Sequence, residues 1–228
     1  MNIAENILKN SLKNVYFLTG TALAGKTTMA KELSKKYGLI HFNDNWHEDN
    51  FKIWLSICDE KYQKQASKRN AVKDWEAYFS RTTEDFLSGN NGDYNGYNEY
   101  VEYAIIELIK LSQNNKVIAD ICVPIGLLTE ISDYNRIACL LASPELVTVE
   151  NYGKRNDHRE FLECILSLSE PDKKIVTQNE LLRIGVEKIH AEAKKFGIFS
   201  IIRNNESTIE NTLKTLEKHF GLRKDNHG

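Results

Sequence analysis

Eight consecutive residues carry the clearest chemistry in this chain: Gly20, Thr21, Ala22, Leu23, Ala24, Gly25, Lys26 and Thr27. They fit the pattern G-x-x-x-x-G-K-[ST]. Glycines at the first and sixth positions let the backbone turn tightly, so that successive N–H groups point inward at phosphate oxygens. A helix beginning near Lys26 aims the positive end of its dipole at the same place. Lys26 supplies a full positive charge for the β- and γ-phosphates of a nucleoside triphosphate, and the Thr27 hydroxyl is an oxygen ligand of the kind Mg²⁺ takes. The expected cofactors are ATP and Mg²⁺.

Such a loop works only between a buried strand and a helix, and the flanking sequence supplies both. Val15 to Leu18 is apolar and predicts a strand, while Thr27 to Tyr37 predicts a helix stopped at Gly38. Further on, Leu39–Phe42, Val117–Ala119, Ile137–Leu141 and Ile198–Ile202 predict four more strands. Short apolar runs alternating with helical patterns indicate an α/β fold with a parallel sheet of about five strands in a three-layer sandwich. Ser143-Pro144 reads as a helix start, and Thr177 with Glu180 and Ser207 with Glu210 read as capping boxes. Leu182, Val186, Ile189, Ala193 and Phe196 follow one helical face that ends at Gly197, and Ile209, Leu213, Leu216 and Phe220 mark the last helix.

One stretch breaks the alternation. Residues 45–114 contain no convincing strand and read as two or three helices, with a turn-rich break at Ser88-Gly89-Asn90-Asn91-Gly92-Asp93. This is a helical insertion between the second and third strands. Its aromatic residues, among them Trp46, Phe51, Trp54, Tyr62, Trp75, Tyr78, Phe79 and Phe86, form either local core or an aromatic substrate box, with core the stronger reading. The whole chain, 1–228, reads as a single domain.

The bulk properties exclude some classes. The 228 residues are 41% hydrophobic and 27% charged, with a formal net charge of −2. That charge offers no basic footprint for general nucleic-acid binding. No run approaches the ~18 apolar residues of a membrane span, and Met1 to Asn14 lacks the apolar core of a signal peptide. The expected location is the cytoplasm. Cys58, Cys122, Cys139 and Cys164 are scattered and form no C-x-x-C pair, so reduced thiols are expected.

On the Gly20–Thr27 motif and this order of elements, the chain resembles the P-loop NTPase superfamily, and within it the nucleotide and small-molecule kinases of the adenylate kinase-like and shikimate kinase-like branch. The resemblance implies strand order 2-3-1-4-5, with Gly20 to Thr28 around the phosphates. It implies that Asp120, ending the third strand, helps Thr27 place Mg²⁺. Ile121 stands where many hydrolysing relatives carry Glu, which leans away from a motor. Asn115-Lys116-Val117-Ile118 lacks the Asp of a guanine-recognition motif, and Asp93-Tyr94-Asn95-Gly96 follows no apolar strand, so neither supports a GTPase.

The same resemblance implies an acceptor side and a lid. Asp44, after the second strand, is either a carboxylate facing the acceptor hydroxyl or a turn residue within Asn43-Asp44-Asn45. Lys154, Arg155, His158 and Arg159 follow the fourth strand, where kinases of this branch carry a lid (144–170 here). Arg155 and Arg159 share a helical face. They either close over the transferring phosphoryl group or form a solvated face with Asp157 and Glu160. The turn Arg203-Asn204-Asn205-Glu206 lies where related kinases pass the adenine, with Asn204 and Asn205 as candidate contacts. The implied activity is transfer of the γ-phosphoryl group of ATP to a small molecule or nucleotide. The alternative is a nucleotide-binding regulatory ATPase or switch that acts through a protein partner.

Overall fold

The structure, a computed structural model, describes residues 5–43, 49–60, 63, 74–86, 95–155 and 159–223. The elements follow in chain order. Helix α1 (Glu5–Ser11) precedes strand β1 (Val15–Gly20), helix α2 (Lys26–Tyr37) and strand β2 (Ile40–Asn43). Helices α3 (Asp49–Ile57), α4 (Trp75–Phe79) and α5 (Asn95–Ser112) follow, then strand β3 (Val117–Asp120) and helix α6 (Ile125–Ile131). Strand β4 (Ile137–Ala142) leads to helices α7 (Val149–Gly153), α8 (Arg159–Leu166) and α9 (Pro171–Phe196). Strand β5 (Phe199–Arg203) and helix α10 (Ile209–Phe220) complete the fold.

The five strands form one parallel sheet in the order β2-β3-β1-β4-β5. This is the expected order, and each expected strand is present to within two residues at its ends. Inner parallel strands are covered on both faces, so β1 and β4 are apolar along most of their length rather than alternating, whereas the edge strands β2 and β5 include His41 and Ser200. Every residue of β1 and β4 is buried. Alternate β1 side chains serve opposite layers. Val15 and Phe17 enter a core with Leu108 of α5, Leu128 of α6 and Ala193 of α9. Tyr16 and Leu18 enter another with Met29 and Leu33 of α2 and Leu216 and Phe220 of α10. The chain is therefore a three-layer α/β sandwich.

The helix ends show where local signals held and where they were overridden. Gly38, Gly197 and Gly221 adopt left-handed conformations after α2, α9 and α10, closing each helix as a C-terminal glycine does. The Ser143-Pro144 signal opens only a short 3-10 turn, Pro144–Leu146. Thr177 does not cap a helix. It lies inside α9, its hydroxyl donating to Lys173 O, because Pro171 at the first helical position starts that helix six residues earlier. The cap of α10 is Thr208, which accepts from Asn211 N. Ser207 is instead used in the preceding turn, where its hydroxyl accepts from Asn204 N.

Between β2 and β3 the described residues form the helices α3, α4 and α5 and no strand. Trp54 and Tyr100 are buried against each other at 5.5 Å, joining α3 to α5. Phe79, on α4, is 1% exposed and packs with Val149 and Ile165 from the segment after β4. These aromatic residues are local core, whereas Trp75 remains 43% exposed. The turn-rich stretch 88–93 and the residues Trp46, His47 and Tyr62 lie outside the described residues.

Among the described residues no helix is long and apolar enough to cross a membrane. The four cysteines are free thiols.

Candidate functional site

The Gly20–Thr27 loop leaves the carboxyl end of β1 at the middle of the sheet, where β3 and β4 flank it. Gly20 has φ +130°, and a Cβ there would lie 1.9 Å from Leu140 O on the neighbouring strand. Only glycine lets the chain leave the sheet along this path. Thr21 then anchors the loop to β4. Its N–H donates to Leu140 O at 3.0 Å and its buried hydroxyl accepts from Ala142 N at 2.7 Å. The Thr21 side chain thus holds the loop to the sheet, which leaves backbone groups for any ligand.

The loop then turns through left-handed backbone at Leu23 (φ 59°) and Gly25 (φ 80°). A non-glycine residue in that region is uncommon and strained, and such conformations persist where the surroundings over-determine them. Ala24 between them is fully buried. Gly25 is the N-cap of α2 and gives that helix no side-chain cap. The opening N–H groups of a helix lack intrahelical partners, so an uncapped start can receive an anion. Lys26 curls back over the loop, its Nζ donating to Thr21 O at 2.8 Å and Gly20 O at 3.2 Å. Ala22 is half-buried and Thr28 exposed.

Thr27 Oγ1 donates to Asp120 Oδ2 at 2.5 Å. Asp120 ends β3, is 4% exposed, and pairs in register with Leu18 of β1 and Asn43 of β2. Both oxygens are hard donors and stand close enough to share one small cation. Mg²⁺ is held by few protein oxygens and keeps other ligands from water and phosphate, which fits this pair. Among the described residues no group of three or more His, Cys, Asp or Glu gathers into a fuller metal cluster.

The register places Asn43, the last residue of β2, beside Asp120; Asp44 lies outside the described residues. Arg155 lies just past α7, with its guanidinium carbon 5.7 Å from the Tyr152 ring centroid. Arg159 is the exposed first residue of α8. His158 and Asp157 lie outside the described residues. The segment holding these arginines is joined to the insertion. Besides the packing of Phe79, Glu76 of α4 accepts from Lys174 Nζ at 2.7 Å and from Ser169 N at 3.0 Å. Lys174 is 4% exposed, and its hydrogen bonds, with those of Ser169, hold the Glu76 carboxyl down at about 2.

Asn204 and Asn205 are exposed, and Asn204 Oδ1 accepts from Glu206 N and Ser207 Oγ, shaping its own turn. The residue that reaches the loop is Arg203, whose Nη1 donates to Ala24 O at 3.0 Å. Sequence reasoning passed over Arg203 as part of a turn. The signal was a lone cation at the end of the apolar run Ile198–Ile202, at the end of the sheet where the loop lies.

A cavity of about 520 Å³ lined by Tyr16, Tyr37, Leu39, Lys116 and Leu222 opens elsewhere. Its residues sit where β1, β2 and β3 begin, at the opposite end of the sheet from the loop. None of the residues placed around the Gly20–Thr27 loop lines it. Compared with models of known families and with curated proteins, the chain matches none.

Proposed function

We propose that this protein is an ATP- and Mg²⁺-dependent phosphotransferase of the P-loop kinase type, moving the γ-phosphoryl group to a small-molecule or nucleotide acceptor. The observation that carries the proposal is the Thr27–Asp120 contact at the carboxyl ends of β1 and β3. A hydroxyl at the end of the Gly20–Thr27 motif and a buried carboxylate from a different strand meet, and both are oxygens of the kind a nucleotide-bound Mg²⁺ takes.

In this reading Gly20 to Thr28 hold the phosphates with backbone N–H groups and the start of α2. Lys26 exchanges its two carbonyl partners for β- and γ-phosphate oxygens. Thr27 and Asp120 would hold Mg²⁺, whose chemistry when bound would be charge neutralisation. The acceptor oxygen forms a bond to the γ-phosphorus as the bond to the β–γ bridging oxygen breaks, and ADP leaves. Asp44 takes the acceptor proton when the acceptor is a hydroxyl. Arg155 and Arg159 close over the transferring group, where the transition state carries charge on its equatorial oxygens. The α3–α5 insertion forms the acceptor side.

The test is ADP release by purified protein with Mg²⁺-ATP against pooled nucleosides, nucleotides, sugars and hydroxylated metabolites, with Lys26→Ala as control. Acceptor-dependent release that disappears in the variant is the expected result. ATP binding without stimulation by any pool favours a regulatory ATPase acting through a protein partner. Full transfer by Lys26→Ala overturns the proposal.

A further inference from the structure

Arg203 is the last residue of β5, 179 positions from the loop residue it contacts. Its backbone is fixed, since Ser143 N donates to Arg203 O at 2.8 Å and ties the end of β5 to the end of β4. Its guanidinium spans two segments. Nη1 donates to Ala24 O at 3.0 Å and Nη2 reaches Ser207 O at 3.4 Å. Nε is buried without a hydrogen-bond partner among the described residues. Burial draws the guanidinium down from its ordinary pKa, yet arginine retains its charge in proteins.

The second glycine of the loop fits this side chain. A Cβ on Gly25 would lie 2.2 Å from Arg203 Nη1. Gly25 therefore serves twice, adopting φ +80° and leaving the space that the guanidinium occupies. A trans peptide points its C=O and the following N–H in opposite directions. Holding Ala24 O on Arg203 thus turns the Gly25 N–H away from β5, at the step where the chain enters α2.

We propose that Arg203 is a positioning residue of the phosphate-binding loop: by holding the Ala24 carbonyl beneath Gly25 it sets the direction of the loop's N–H groups toward the bound polyphosphate. This rests on the reading of the loop as a nucleotide site. Leu23, strained at φ 59°, and Gly25 flank the held carbonyl, so the clamp acts where the loop's backbone is left-handed. The guanidinium also adds a positive charge behind the helix start, where it reinforces attraction for phosphate.

The experiment is equilibrium binding of Mg²⁺-ATP and of Mg²⁺-tripolyphosphate to the full chain, Arg203→Ala and Arg203→Lys, with thermal unfolding of each ligand-free protein. Loss of a charge-assisted hydrogen bond that orders the loop is expected to weaken both ligands by the same factor, roughly ten- to a hundredfold. Arg203→Lys, keeping the charge and one donor, is expected to recover part of that loss, and it carries the test if the alanine variant does not fold. Equal affinity in wild type and both variants overturns the proposal. So does a loss confined to ATP, which would make Arg203 a nucleobase contact, or a loss that follows a fall in unfolding temperature in both variants. A wild-type protein that binds neither ligand instead overturns the reading of the loop itself.

Discussion

Thr27 Oγ1 donates a 2.5 Å hydrogen bond to Asp120 Oδ2, joining two residues 93 positions apart in the chain. Asp120 is 4% exposed, and the Thr27 hydroxyl is a direct donor to its carboxylate. Thr27→Val keeps the shape and removes the donor, leaving a buried carboxylate less satisfied. It is expected to cost about 1–3 kcal/mol in chemical denaturation, with Thr27→Ser close to wild type. Asp120→Asn tests the proposed metal role separately. It keeps the size and is expected to lower Mg²⁺-dependent turnover by at least about a hundredfold, with weaker dependence on Mg²⁺ concentration.

Gly20→Ala would place a methyl group 1.9 Å from Leu140 O in a backbone with φ +130°. Neither the strand nor the loop can move without breaking the Thr21 contacts to Leu140 and Ala142. The expected loss is about 2–4 kcal/mol, read from the denaturant midpoint. Gly38→Ala is the comparison, since nothing lies within 4 Å of its added Cβ and only the left-handed φ of 65° is strained. It is expected to cost clearly less.

The Glu76–Lys174 pair makes stability depend on acid pH. Hydrogen bonds from Lys174 and Ser169 lower the Glu76 carboxyl from 4.5 to about 2 in the folded protein. The unfolded chain therefore binds the proton first, and the contribution of Glu76 is full above 4.5 and is lost as pH falls toward about 2. Thermal unfolding of wild type and Glu76→Gln should show a difference near neutral pH that narrows across that window. A constant difference would place the effect elsewhere than in the carboxylate.

Phe79 is the apolar half of the same junction, 1% exposed and 5.6 Å from the Phe161 ring. Phe79→Ala is expected to destabilise the fold by about 3–5 kcal/mol. Because the side chain bridges α4 with the segment after β4, amide exchange should quicken in α7 and α8 as well as in α4. Exchange that quickens only in α4 would mean that the two segments are not coupled through this ring.

What the sequence determined by itself was whatever depends on neighbours in the chain. Mostly apolar runs of three to five residues marked all five strands, because the inner strands of a parallel sheet are covered on both faces. Gly38 and Gly197 marked helix ends because they need a left-handed backbone one residue past the last turn. The turn geometry of Gly20 and Gly25 was legible for the same reason, since both act on the backbone within eight residues. Thr177 was misread because a local capping pattern cannot reveal that Pro171 has already begun the helix. Only the tertiary structure decided which distant side chains meet. Arg203 on Ala24 and Lys174 on Glu76 leave no mark in local spacing. Thr27 and Asp120 could be paired from sequence only through the resemblance, and their contact needs the order β3-β1 and the register Leu18 to Asp120. Strand order and register come from the combined burial of both faces of the sheet, and no single segment encodes them.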